Sequence, residues 1–370
     1  MIQPRVMTDK FIFMTTLVLV VFGVIMVYSA SSVLAAEKFG DQRYFLIRQG
    51  VWAVVGLTAM LATINIDYHF YQKPWVVYPI LFICVGLLVA VLFAPSVNNA
   101  HRWLRWRTFI SFQPAEAAKL GLMIFLAYYL SRRIPDEVRN VWKTFLPCAV
   151  VAGSIMALVA VEPDLGMAMG IGGILVVALF VAGVPIRHLM LMGVAALPAL
   201  YYFLVHVSWR WGRVLVFLDP WRDPQGQGFQ SIQSMMAIVS GGLWGTGFAQ
   251  GRQKLFYLPE PHTDFIFAQM GEELCMIGLV LVVIAFGLFL WRGARVALRA
   301  PDTFGTLLGI SITLAIVGQA LFNMSVTLGL APVKGMPLPL ISYGGSSLLL
   351  TLTGIGILLN IAQQARDYVA

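Results

Sequence analysis

Apolar residues run through most of this chain in long stretches, and polar residues gather in the gaps between them. A membrane-crossing helix needs about 20 mostly apolar residues. That criterion predicts ten spans, at roughly 11–31, 48–65, 75–93, 114–130, 144–161, 165–183, 188–206, 265–290, 304–329 and 341–362. Only Val184-Pro-Ile-Arg187 separates the sixth from the seventh, and Pro185 marks the break. The expected fold is therefore an all-α integral membrane protein, a single polytopic domain over residues 1–370, with ten transmembrane helices. An even number of spans puts both termini on one side. One large loop, about 206–264, falls between the seventh and eighth spans.

Lys and Arg in short loops set the orientation. With the termini inside, short inner loops hold Arg132, Arg133, Arg139 and Lys143, then Arg292, Arg295 and Arg299. The other side is hardly poorer, with Arg48, Arg102, Arg105, Arg107, Arg213 and Lys334 among its cations. Many of the outer charges lie in the long loop, which weighs little in the rule, so the termini are read as cytoplasmic. The outer cations then become a clue, because topology disfavours them. Within the long loop, Trp209–Leu218 is aromatic, basic and apolar, suited to a membrane interface. Asp219-Pro-Trp-Arg-Asp-Pro224 is turn chemistry. Ile232, Met235, Met236 and Val239 recur at helical spacing and predict an amphipathic helix on or dipping into the membrane. Gly241-Gly-Leu-Trp-Gly-Thr-Gly247 reads as a flexible turn and only weakly as a phosphate cradle, since no Lys-Ser/Thr follows it.

Composition agrees with this pattern. The chain is 59% hydrophobic and 11% charged, with mean hydropathy +0.82, against about 25% charged residues in ordinary soluble domains. The net charge of +8 comes from basic residues scattered singly between apolar runs. Anionic lipid or an anionic lipid-linked substrate suits that distribution better than nucleic acid. Cys84, Cys148 and Cys275 lie in apolar runs at no metal-ligand spacing and read as small buried hydrophobes. The run from Phe11 to Tyr28 exceeds the roughly 7–15-residue core of a signal peptide, so it is read as the first span.

Five polar stretches carry candidate chemistry. Tyr257-Leu-Pro-Glu-Pro-His-Thr-Asp-Phe265 puts Asp264 at the mouth of a span, with Glu272 and Glu273 about two turns further in. An Asp at a helix centre costs roughly 2.5–3.5 kcal/mol or more in a bilayer, so such acids mark function or pairing. In Gln113-Pro-Ala-Glu-Ala-Ala-Lys119, Pro114 suits a helix start, and Glu116 and Lys119 share one face. They form either an internal ion pair or a polar groove that meets an anion. Upstream, Arg102, Arg105 and Arg107 with Trp103 and Trp106 offer guanidinium groups for phosphate oxygens beside ordinary interfacial tryptophans. Glu162-Pro-Asp-Leu-Gly166 is a tight turn in which Asp164 caps the next helix. Finally, Lys334 and Ser342-Tyr-Gly-Gly-Ser-Ser347 form either a close-packing helix entry or a polar wall for a ligand. No zinc, nucleotide-loop or serine-hydrolase motif is present.

These residues, in this order, resemble the SEDS family (shape, elongation, division and sporulation), the FtsW/RodA/SpoVE type. The specific pieces are Phe112-Gln-Pro-Ala-Glu116 with Lys119, Asp219-Pro220, Gln253-Lys-Leu-Phe-Tyr-Leu-Pro-Glu-Pro-His-Thr-Asp-Phe-Ile-Phe267 and Pro339-Leu-Ile-Ser-Tyr-Gly-Gly-Ser-Ser347. The Arg252-Gln-Lys-Leu-Phe-Tyr-Leu-Pro-Glu-Pro261 run and Lys334-Gly335 look closer to the division and sporulation branch than to RodA. The resemblance implies a ten-helix peptidoglycan glycosyltransferase of the bacterial cytoplasmic membrane that polymerises lipid II at the outer face. It implies a class B penicillin-binding protein transpeptidase as partner, assistance from a divalent cation (Mg²⁺ or Mn²⁺), and no organic cofactor. The family's essential acid falls on Asp264. The implied substrate-binding set is Arg48, Arg102, Trp103, Glu116, Lys119, Arg213, Glu260, His262, Thr263, Lys334, Ser342, Tyr343, Gly344, Gly345 and Ser346. Two positions depart from the family pattern: Ser111 where an Arg is common, and Cys275 where a Gly closes the usual Gly-Glu-Glu-Leu-Gly. Asp264 is expected to act as base for an acceptor sugar hydroxyl. Two other readings stay open. A lipid II flippase needs acids reachable from both sides, whereas the polar stretches crowd onto one. A non-enzymatic scaffold predicts that Asp264 and Lys119 are dispensable.

Overall fold

Polar side chains and special backbone positions decide where each apolar run becomes a helix and where it stops. The computed structural model describes residues 9–95, 101–106, 110–205, 208–242, 244–254 and 258–365. Its helices are α1 (Lys10–Phe39), α2 (Tyr44–Ile64), α3 (Pro74–Leu92), α4 (Pro114–Ser131), the single turn α5 (Pro135–Val138), α6 (Leu146–Val161), α7 (Leu165–Val181), α8 (Ile186–Val205), α9 (Ser208–Leu218), α10 (Phe229–Gly241), α11 (Ile266–Leu298), α12 (Thr303–Thr327) and α13 (Gly345–Gln364). A π-helical turn, Val141–Phe145, leads into α6. Each predicted span coincides with a helix. Among the described residues, eight are long and apolar enough to cross a membrane. Helix α7 is apolar but has only 17 residues, and α4 carries Glu116 and Lys119 in its first half.

Capping explains the helix ends. Asp9 accepts from the Phe11 and Ile12 amides at 3.0 and 3.1 Å and opens α1. Gly40, at φ 72°, closes it by returning its N–H to Ala36. No breaker precedes Gly40, so α1 runs past the predicted end at 31. Pro74 and Pro114 open α3 and α4. Helices α12 and α13 are the most enclosed, whereas α8 buries none of its apolar window. Helix α13 packs along α2, α12 packs against α11 and α4, and α10 lies against the first half of α11.

Three expectations need correction. First, the all-α reading missed a small antiparallel hairpin, β1 (Leu104–Trp106) and β2 (Ile110–Phe112), in which Leu104 faces Phe112. The hairpin follows from two short alternating segments, Leu104-Arg105-Trp106 and Ile110-Ser111-Phe112; Arg107 lies outside the described residues. Second, Ser208–Leu218 of the region read as a loop forms helix α9, whereas the helix expected from Ile232, Met235, Met236 and Val239 is present as α10, where Ser234 donates to Thr327 O at 2.8 Å. Third, α13 begins at Gly345 rather than 341, because Ser342 and Tyr343 are committed to hydrogen bonds elsewhere.

Helix α11 is broken just after its two acids. Cys275 sits at φ 63°, ψ −175°, a region essentially reserved for glycine. The break frees the carbonyls of Glu272 and Glu273. The Thr246 amide donates to Glu272 O at 2.9 Å, and the Gly247 amide donates to Glu273 O at 3.2 Å. The glycine-rich turn is therefore anchored on α11, and these amides are occupied by helix carbonyls. The acids themselves hold the next loop. Glu272 accepts from the Arg252 and Gln253 amides at 2.7 and 3.2 Å. Glu273 accepts from Ala249 N, Lys254 Nζ and Gln269 Nε2 at 2.9–3.0 Å, and also from Ser29 Oγ. Each replaces lost hydration with several donors, as a buried carboxylate requires. The family's glycine at position 275 thus has a backbone reason. Cys275→Gly relieves strain of about 1–3 kcal/mol and is expected to raise the thermal unfolding midpoint in detergent, whereas Cys275→Val should lower it. Equal midpoints for all three proteins would show that the break carries no strain.

Candidate active site

At one end of the bundle, the loop after α12 folds back onto the segment that enters α11. Two amides on α12, one turn apart, make this happen. Asn323 Nδ2 donates to Asp264 O at 2.8 Å and to Met336 O at 2.7 Å. Gln319 Nε2 donates to Pro337 O at 2.9 Å. From the other side, Ser342 Oγ donates to Thr263 O at 2.5 Å while accepting from Leu338 N at 2.8 Å. The Tyr343 amide donates to His262 O at 2.9 Å. Three consecutive residues ending in Asp264 are thus fixed through their backbone carbonyls, leaving the Asp264 carboxyl to its surroundings. Gly335 is required there, since a Cβ at that position would lie 2.6 Å from Asp264 Oδ2.

Lys334 and Arg213 lie near enough to this carboxyl to act on it, and Arg102 shares Asp164 with Lys334. Lys334 Nζ pairs with Asp164 Oδ1 at 2.8 Å. Asp164 also caps α7 by accepting from Met167 N at 3.2 Å. Arg102 donates to the Glu162 and Pro163 carbonyls at 3.1 and 2.5 Å, with a guanidinium nitrogen 3.8 Å from Asp164. Arg213 donates to Val333 O at 3.1 Å. Burial tends to raise the Asp164 carboxyl, but Lys334 and Arg102 outweigh it and hold Asp164 below the usual carboxylate range. Burial and neighbouring guanidinium groups pull Lys334 down against the opposing effect of Asp164. Asp264 behaves differently. Burial, with Glu260 adding to it, pushes its carboxyl up to about 7 despite Lys334 and Arg213. A carboxyl poised near neutrality suits proton transfer.

The Glu116–Lys119 pair is a second part of the same framework. Lys119 Nζ lies 2.6 Å from Glu116 Oε2 and donates to Gln319 Oε1 at 2.8 Å. Gln319 in turn holds Pro337, so the pair on α4 reaches the Asp264 segment through one amide. An apolar groove of about 370 Å³ opens between α7 and α12, floored by Gly170, Gly173 and Gly318 and headed by Lys119, Gln319 and Met336.

The remaining predicted residues divide between this centre and its supports. Arg48 stacks over Tyr44 at 4.6 Å and interacts with Tyr343. His262 is buried between Phe45 and Tyr343, and burial lowers its ring to about 4, so it is neutral at physiological pH. Glu260 is exposed at φ 52°, and its carbonyl accepts from Thr263 N at 3.2 Å. Gly344 donates to Gln49 at 3.5 Å, Gly345 lies against Trp52, and Ser346 Oγ accepts from Gln113 N at 3.3 Å. These last three join helices. Trp103 lies part-buried just before β1, and no described contact joins it to Asp264. Sequence reasoning missed Gln319 and Asn323, although two carboxamides inside an apolar span were a visible signal. It also missed the second duty of Asp164.

Among the described residues no three His, Cys, Asp or Glu side chains converge as a metal cage. Asp264 and Glu260 are close enough to influence each other electrostatically. Two carboxylates are fewer ligands than a protein-built cage needs, so a divalent cation here would take its other ligands from water or substrate phosphates.

Helices long and apolar enough to cross a membrane thus hold a poised acid among ordered cations, near an apolar groove. The FtsW/RodA/SpoVE family, described as cell cycle proteins, matches residues 9–367, and the chain belongs to it. A probable peptidoglycan glycosyltransferase FtsW of Geobacter sp. (strain M18) is 41% identical over 362 residues, 97% of each chain. Stage V sporulation protein E of Bacillus subtilis (strain 168) is 40% identical, covering 99% of this chain and all of that one. Among solved structures, a chain from a peptidoglycan synthase complex that coordinates polymerisation and crosslinking has TM-score 0.79 at 33% identity, covering 97% of this chain and 99% of its own. The rod shape determining protein RodA of Thermus thermophilus has TM-score 0.71 at 29% identity, covering 97% and 98%.

Asn323→Ala would strip the buried Met336 and Asp264 carbonyls of their shared donor, which costs about 1–3 kcal/mol. The thermal unfolding midpoint should fall measurably. A midpoint equal to wild type would show that the loop is held without it.

Proposed function

We propose that this chain is a peptidoglycan glycosyltransferase that polymerises lipid II into β-1,4-linked glycan strands at the outer face of the bacterial cytoplasmic membrane. On this reading all ten predicted helices span, both termini are cytoplasmic, and the Asp264 end faces outward. The observation that carries it is the placement of one carboxyl, raised to about 7, beside Lys334 and Arg213 at the end of the bundle that also heads the apolar groove. Family membership supports the same reaction.

The chemistry follows from that placement. Asp264 takes the proton from the 4-hydroxyl of the acceptor N-acetylglucosamine as its oxygen attacks C1 of the donor N-acetylmuramic acid. The C1–O bond to the diphosphate breaks on the opposite face, undecaprenyl diphosphate leaves, and the α-linked donor gives a β-1,4 bond. The departing charge is met by Lys334 and Arg213, with Arg102, Arg48 and Lys119 adding to the positive field. Asp164 orders Lys334 and Arg102 before substrate arrives, so little reorganisation is needed during reaction. A divalent cation held by Asp264 or Glu260 together with diphosphate oxygens would supply further charge neutralisation. The groove between α7 and α12 takes an isoprenoid tail. A class B penicillin-binding protein supplies crosslinking, in keeping with the synthase complex among the structural neighbours.

General-base catalysis contributes about 10²–10⁴-fold, so Asp264→Asn should lower lipid II polymerisation by that factor while leaving the unfolding midpoint near wild type. Wild-type glycan synthesis by this variant sinks the assignment. Lipid II translocation in vesicles without polymer formation would establish the flippase reading instead.

The pH profile gives a separate check. A base titrating near 7 is active when deprotonated, so the rate should climb as pH rises through about 7 rather than through 4. Glu260 helps raise that carboxyl, so Glu260→Gln should move the rising limb to lower pH. A limb that stays in place would remove Glu260 from the electrostatic account.

A further inference from the structure

Beside the Asp264 cluster lies a second cavity of about 390 Å³ whose chemistry differs from that of the lipid groove. Three carboxamides, Gln225, Gln227 and Gln230, line it together with one cation and one acid, Arg213 and Asp223, and with Phe229 and Pro259. Its volume falls within the range of small-molecule sites. Gln225 and Gln227 are exposed and Gln230 is half-buried, so a ligand in the cavity can reach their amides, and the Gln227 amide rests against Gly212 of α9. The loop bearing them is nevertheless fixed. Asp223 accepts from the Gly226 and Gln227 amides at 3.1 and 2.9 Å, which closes the turn before α10.

A carboxamide offers both donor and acceptor atoms, the pattern needed to read hydroxyl and N-acetyl groups. A phosphate would instead be matched by a cluster of cations, and an isoprenoid by an apolar wall. Phe229 and Pro259 add apolar surface of the sort on which the C–H face of a sugar ring rests. The cavity is also coupled to the acid. Pro259 begins the segment that ends at Asp264. Val333, which lines the cavity, accepts from Arg213 and directly precedes Lys334 and Gly335.

We propose that this cavity is a saccharide subsite that holds a neutral N-acetylhexosamine unit of the glycan next to the pair being joined. The proposal rests on the glycosyltransferase reading, and it places the sugar away from the lipid groove, with Arg213 bordering both the subsite and the place where the diphosphate departs.

The test uses the full purified chain and a soluble β-1,4-linked N-acetylglucosamine oligomer as probe, with binding followed by ligand-observed NMR. Wild type and Asp264→Asn should bind alike. Gln227→Ala with Gln230→Ala removes at least two hydrogen bonds of about 1 kcal/mol each, so affinity should fall tenfold or more. Strands made from lipid II should also be shorter. Gln230→Glu, nearly the same size, guards against a folding defect and should weaken binding with no change in unfolding midpoint. Probe binding that is absent in wild type, or equal in wild type and both glutamine variants, overturns the subsite. Retained oligomer binding by a wild type unable to polymerise lipid II would sink the glycosyltransferase reading and leave the saccharide assignment intact.

Discussion

The site depends on two side-chain amides inside an otherwise apolar helix. Gln319 and Asn323, four residues apart on α12, face the same way and bind the carbonyls of Pro337, Met336 and Asp264. Without water, backbone polar groups at this depth must find partners inside the protein. The carboxamides therefore do more than join two helices. They allow irregular chain at 336–343 and 262–264 to exist within the bundle, and irregular chain can place a carboxyl where a continuous helix could not. Ser342 and Tyr343 close the arrangement from the opposite side. Lys119 adds the α4 ion pair to it by donating to Gln319.

A second irregularity protects the first. The break at Cys275 lets α11 turn its orphan carbonyls toward Thr246 and Gly247, so α10 and the following turn are pinned beside the entrance to α11. Glu272 and Glu273 then hold the chain at 249–254 through backbone amides and Lys254. That loop leads on to Pro259 and Asp264. Two carboxylates that a bilayer would penalise are thereby used as anchors for the segment that carries the third.

Much of the fold was legible because a bilayer enforces it: long apolar runs have almost no alternative to helix. The places where sequence reasoning missed are those where local pattern and tertiary contact compete. Residues 341–344 are as apolar at their start as a helix, yet Ser342 and Tyr343 bond across the bundle to 262–263 and delay α13 to Gly345. The apolar stripe of Ile232, Met235, Met236 and Val239 resembles a helix resting on lipid, but Ile232 is buried in the protein with Ser231, Ser234, Ala237 and Gly241, while Met236 and Val239 are exposed. The position of Asp264 at the entrance to α11 was legible from the sequence. The partners of Asp164 were not, since an N-cap explains that residue locally and nothing in its neighbourhood points to Lys334, far along the chain.

These contacts separate the acids by what each has available to it. Asp164 faces Lys334 and Arg102, Glu116 faces Lys119, and Glu273 faces Lys254, Gln269 and two further donors. Lys334 and Arg102 hold Asp164 below the usual carboxylate range, and a carboxylate so held is a poor proton acceptor. Asp264 is fixed through its backbone instead. Its carboxyl is left to burial and to Glu260, with Lys334 and Arg213 near enough to temper the effect but with Lys334 already paired elsewhere. The same cations therefore serve two ends. Drawn toward Asp164 and the loop carbonyls, they leave Asp264 basic enough to accept a proton, while their charge remains directed at the space where a diphosphate departs.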